Sequence, residues 1–112
     1  MSAAMFSLLE SPAGDGVVEL RPIGELDLAV ADQFSRRLAE LVGGGARVRL
    51  DLSQLQFIDS AGIHALIRAV MDGGGDGGHL VVVDRNLTRS VRKVIELVGA
   101  APTLWSAGDG GL

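Results

Sequence analysis

Apolar positions along this chain fall into two rhythms, one of period two and one of period three to four, which alternate from end to end. Ala4 to Leu9 reads as a short first strand, followed by the turn-rich Ser11-Pro12-Ala13-Gly14-Asp15-Gly16. Val17 to Ile23 reads as a second strand, so the first pair is expected to be an antiparallel hairpin. The spacing then changes. Leu28, Ala31, Phe34, Leu38, Leu41 and Val42 mark one buried stripe of a helix, with Asp32, Arg36 and Glu40 away from it. Asp27 is placed to cap that helix, and Gly43-Gly44-Gly45 to stop it.

Arg47 to Leu52 alternates charged residues with Val48, Leu50 and Leu52, as a half-buried strand does. A central loop follows, and Ile63, Leu66, Ile67 and Val70 then predict the buried face of a second helix. Gly73 to Gly78 reads as a flexible connector, since no Gly-Lys-Ser/Thr follows to make it a phosphate loop. Leu80 to Val83 is a continuous apolar run, expected as a central strand covered on both faces or nearly so. Asn86 is placed to cap a third helix with the stripe Leu87, Val91, Val94, Ile95 and Val98, ended by Gly99 and Pro102. Thr103 to Trp105 reads as a short edge strand and 106–112 as a loose tail. The order β-β-α-β-α-β-α-β implies an α/β domain in which helices connect parallel strands.

Composition narrows the classes of function. A chain of 112 residues, 47% of them hydrophobic, makes one domain (1–112, core about 4–105) able to bury roughly 65% of its unfolded surface. A net charge of −4 gives no electrostatic footprint for nucleic acid. No cysteine means no disulfide, thiolate nucleophile or Cys-based zinc site, and two histidines, His64 and His79, are too few for a dedicated metal centre. No apolar run approaches the roughly 20 residues of a membrane span, and Met1-Ser2-Ala3-Ala4 lacks the basic start of a signal peptide. The expectation is a cytoplasmic protein.

The candidate chemistry sits at Asp59-Ser60-Ala61-Gly62, where the second helix begins. Helix starts expose unpaired N–H groups at the positive end of the dipole and favour anions. A serine there can cap the helix, act as a nucleophile or receive a phosphoryl group. As a nucleophile elbow the segment lacks its first glycine, having Ile58 instead, and Asp59 is poorly placed to orient His64 for a triad. Either Asp59 or Ser60 can cap. Ser60, His64 and Arg68 lie at i, i+4 and i+8 on one helix face, with Ala61 and Ala65 beside them, a small-residue shelf open to close approach by a partner protein.

Gly24-Glu25-Leu26-Asp27 followed by Leu50-Asp-Leu-Ser-Gln-Leu-Gln-Phe-Ile-Asp-Ser-Ala-Gly62 resembles the STAS domain family of anti-sigma factor antagonists, and the order of elements matches over roughly residues 4 to 105. The resemblance implies a single STAS-like domain with a mixed four- to five-stranded sheet and three to four helices. It implies that Ser60 is phosphorylated by an anti-sigma factor that is itself a serine protein kinase, and that a phosphatase reverses the mark. The unphosphorylated form would bind that anti-sigma factor and release the sigma factor. Phosphorylation would block binding by charge and bulk, with little change in backbone. On the same resemblance Asp27, Asp59, Ser60, Ala61, Gly62, His64, Ala65 and Arg68 form the partner surface. The resemblance also implies that Asp27 lies near the edge that carries Asp59.

Two positions depart from the commonest family pattern. Ala61 replaces a second small hydroxyl residue, and His64 stands where a small residue is usual, as a phosphoserine contact or as an ordinary exposed residue. The basic residues Arg85, Arg89, Arg92 and Lys93 on the third helix read as a solvated face or a docking surface. The implied protein has no catalysis of its own, no cofactor or metal, and no direct contact with nucleic acid or membrane. A monomer or weak dimer is expected. STAS domains also serve as structural subunits of stress-sensing complexes and lipid-transport ATPases, which is the alternative reading.

Overall fold

In a computed structural model, which describes residues 6–73, 79–83 and 85–106, strand β2 (Val17–Leu26) is the hub of a five-stranded sheet. It pairs antiparallel with β1 (Phe6–Pro12) along the hairpin that the sequence predicts. The first half of its other edge pairs in parallel with β3 (Arg47–Asp51), from Val17↔Arg47 to Leu20↔Leu50. Its second half pairs in parallel with β4 (Leu55–Ile58), and β5 (Leu80–Val83) joins the far side of β3. Pro22 falls in the gap between the two parallel ladders. There a missing N–H costs no sheet bond on that edge. Gly24, at φ +97°, sits where the register shifts as β4 takes over.

Alternation along the strands separates the two faces. Val48, Leu50, Leu80 and Val82 are buried together with Leu20, and the helices α1 (Ala31–Gly43) and α2 (Ser60–Gly73) cover them. Phe34 and Leu38 of α1, with Ile63, Leu66 and Val70 of α2, complete one continuous core. The opposite sheet face mixes charged residues with apolar ones such as Leu9 and Val83. Arg21 bridges Glu19 (2.8 Å) and Asp51 (3.2 Å) across it. Helix α3 (Arg89–Leu97) packs Val91 and Ile95 inward and lies against β4, and α4 (Ala101–Trp105) buries Leu104 beside α2. Among the described residues no helix is long and apolar enough to cross a membrane.

Several expectations need correction. The expected central loop contains a strand, β4, whose four residues are too few to show a period. The apolar run Leu80–Val83 is a terminal strand of the described sheet, buried by helices rather than by central position. Thr103–Trp105 is helical, with Pro102 in the first turn of α4, where its missing N–H is harmless. Helix α3 is capped by Thr88, whose side chain accepts from the Val91 N–H at 3.3 Å, while Asn86 takes a left-handed turn at φ +62°. Val98 is 56% exposed and leaves the predicted stripe. The start of the first predicted strand at Ala4, the glycine connector from 74 to 78 and the tail from 107 lie outside the described residues.

Two outcomes follow from this packing. A Cβ at Gly62 would lie 2.3 Å from the Leu26 carbonyl oxygen and 2.8 Å from Ile58 Cγ1. Gly62→Ala is therefore expected to lose about 1–3 kcal/mol in urea denaturation, although alanine favours helix. Asp51 supplies a pH test. Burial pushes its carboxyl up, but the Ser53 N–H and hydroxyl and the Arg21 guanidinium outweigh that and hold it below the ordinary value. A lowered folded pKa gives stability that is present above about pH 3.9 and lost as pH falls through the folded value. Urea midpoints of the wild type and Asp51→Asn should accordingly converge between pH 6 and pH 2.

Candidate functional site

Leu26 of β2 pairs with Ile58 of β4, so the next residues, Asp27 and Asp59, leave the sheet side by side at its C-terminal edge. Asp59 is the centre of the arrangement. Its Oδ1 accepts from the Gly62 N–H at 2.9 Å, which caps α2 at the third residue of the helix. Its Oδ2 accepts from the Leu28 N–H at 3.1 Å, a partner 31 residues away. One carboxylate thus closes a helix start and ties the β2–α1 turn to it. Capping, open between Asp59 and Ser60 in the sequence, belongs to Asp59.

The Ser60 hydroxyl is left over. Ser60 is exposed, stands first in α2, and its side chain makes no hydrogen bond among the described residues. His64 and Arg68 are exposed on the same face and, among the described residues, neither is bonded or ion-paired. Neither oxygen of Asp59 is bonded to His64; the two hold backbone N–H groups instead. His79 lies at the opposite end of the sheet, with Nδ1 3.3 Å from the Ala46 carbonyl oxygen. Among the described residues, therefore, none holds the Ser60 hydroxyl as a base would.

The structure brings Asp27, Asp59, Ser60, His64 and Arg68 to one surface, with Ala61 half-buried beside them. It removes two of the expected partner residues from that surface. Gly62 is buried against Leu26, where only a hydrogen fits, and Ala65 is 6% exposed because it turns toward α1. The small-residue shelf is narrower than the spacing implies, since the i+5 position already faces the neighbouring helix. Ala65, Arg68 and Ala69 instead line a cavity of about 380 Å³ between α1 and α2 with Leu38, Val42 and Leu80, and Ser60 is not in its wall.

Asp27 does not cap a helix beginning at Leu28. Its Oδ1 accepts from the Ala29 N–H at 3.0 Å and its carbonyl from Val30 and Ala31, which makes a turn before α1 begins at Ala31. Leu28 is consequently thrown outward and is 78% exposed, although its three-residue spacing to Ala31 assigns it to the buried stripe. The outward turn of Leu28, next to Asp59, was missed in the sequence. The available signal was the side chain of Asp27, which favours a turn over two residues as readily as a helix cap.

The STAS domain family matches residues 9–107. Among solved structures, an anti-sigma factor antagonist from Mycobacterium paratuberculosis is 25% identical with a TM-score of 0.75, over 91% of this chain and 85% of that one. The anti-sigma factor antagonist SpoIIAA in its unphosphorylated form is 23% identical with a TM-score of 0.64, over 86% and 84%. The Bacillus cell fate determinant SpoIIAA in its phosphorylated form is 21% identical with a TM-score of 0.58, over 86% of each chain. Curated protein sequences give no significant match.

The shared carboxylate makes its own prediction. Asp59→Ala removes the α2 cap and the tie to Leu28 together, so it should destabilise the fold by about 1–3 kcal/mol in urea. Amide exchange should also accelerate at Leu28 and Gly62, the two N–H groups released.

Proposed function

The chain belongs to the STAS domain family, and on that premise we propose that it is an anti-sigma factor antagonist switched by phosphorylation of Ser60. The unphosphorylated form binds an anti-sigma factor with serine protein kinase activity, and a sigma factor is released. The phosphorylated form does not bind, and a phosphatase restores it. The observation that supports this reading most strongly is the exposed, unbonded hydroxyl of Ser60 beside a carboxylate that has already taken over the capping. A serine needed only for helix stability would be expected to use its oxygen.

Phosphate at Ser60 adds about −1.5 to −2 charges and three acceptor oxygens. On the free protein that dianion is tolerated, since it meets the positive end of α2 and stays in water. Inside a docked interface it must shed water next to Asp59. Each 1.4 kcal/mol of that penalty weakens binding tenfold, so a few kcal/mol weakens it roughly 100-fold or more. The block is local, because Asp59 and Gly62 fix the helix start without help from the hydroxyl. His64 and Arg68 extend the docking face along α2, and Asp27 and Ala61 border it.

Incubation with the kinase partner and ATP is expected to add one phosphate, read by intact mass, and Ser60→Ala should take none. Ser60→Glu should weaken partner binding by roughly 100-fold with an unchanged urea midpoint. Equal partner affinity of Ser60→Ala and Ser60→Glu would overturn the switch.

A further inference from the structure

Single exposed leucines are ordinary on protein surfaces, and Leu28 at 78% exposure resembles Met71 and Leu97 at 75% each. The backbone beneath it is what differs. The Leu28 N–H is held by Asp59 Oδ2 and the Ala29 N–H by Asp27 Oδ1. The next two, of Val30 and Ala31, donate to the Asp27 carbonyl at 3.1 and 2.9 Å. Four successive donors are fixed, two of them by carboxylates. The entropy of ordering that turn is lost on folding, not on binding, which is the condition for an effective contact residue. Asp59 also caps α2 directly before Ser60, so one carboxylate sets the position of the leucine relative to the hydroxyl.

We propose that Leu28 is the apolar anchor of the docking surface, entering an apolar pocket of the anti-sigma factor beside Ser60; this rests on the antagonist reading above. The two residues then act as one device. A leucine seated in a closed, apolar pocket excludes water from the ground next to it. A phosphoryl group on Ser60 would have to give up its hydration in that same dry contact, where a charge is least tolerated. Filling the pocket is what makes the charge disruptive. The side chain is 78% exposed and stands outside the core cluster, so its replacement tests binding with little effect on the fold.

The test uses the purified kinase that phosphorylates Ser60 and measures its Kd for the whole chain and its variants by calorimetry. Leu28→Ala should bind about ten- to a hundredfold more weakly, the worth of burying one leucine. Leu28→Met should stay within about threefold of wild type. Met71→Ala, about 16 Å farther along α2 from Ser60, should be within about twofold. In the Leu28→Ala background Ser60→Glu should cost clearly less than in the wild type, a coupling that a merely additive surface residue would not show. Wild-type affinity in Leu28→Ala with binding lost in Ser60→Glu overturns the anchor and leaves the switch intact. Weakened binding in Leu28→Ala with no loss in Ser60→Glu removes the switch and, with it, the coupling of the leucine to Ser60, and leaves Leu28 as a contact residue only. Equal losses in Leu28→Ala and Met71→Ala, or strictly additive losses in the double variant, overturn the anchor, and failure of any kinase to modify Ser60 overturns both.

Discussion

The close approach of α2 to the end of β2 is the constraint on which the rest of the structure turns. Gly62 sits where any Cβ would collide with the Leu26 carbonyl oxygen and the Ile58 side chain. That contact brings the first turn of the helix down onto the sheet edge. Only at that distance can one Asp59 carboxylate reach both the Gly62 and Leu28 N–H groups. Depth of packing, helix cap and turn geometry are three aspects of a single arrangement, and an exposed serine is its by-product.

The site divides its labour cleanly. Asp59 and Gly62 hold structure, and Ser60, Leu28, His64 and Arg68 face outward with little structural duty. A residue that carries stability cannot be modified without cost to the fold. A residue relieved of that work can gain and lose a phosphate while the domain stays folded.

Much of the architecture was legible in the sequence because burial imposes a period. The stripe Ala31, Phe34, Leu38 and the alternation Val48, Leu50, Leu52 are visible because each repeats several times in an element long enough to show it. What the rhythm could not show were elements of one turn or four residues. β4 pairs through a bulge at Gly24 and buries only Leu55 and Ile58, and α4 is five residues long. The position of Ser60 was readable because strand pattern, acid, serine and helix pattern occur in order. Leu28 was misread because three-residue spacing to Ala31 suits a helix, and the decision rested on which N–H groups the Asp27 side chain would take. Ala65 was placed on the open face because one helix considered alone does not reveal where its neighbour packs.

The bond from Leu28 to Asp59 spans 31 residues and requires β2, β4 and the start of α2 to be in place together. Nothing in a local stretch of the chain reproduces it, and no peptide containing Ser60 alone would display the leucine at the same position. A partner that reads both residues at once therefore reads the folded state. On the proposed reading, recognition of this surface would double as a check that the domain has closed its sheet, and unfolded or truncated copies would be passed over.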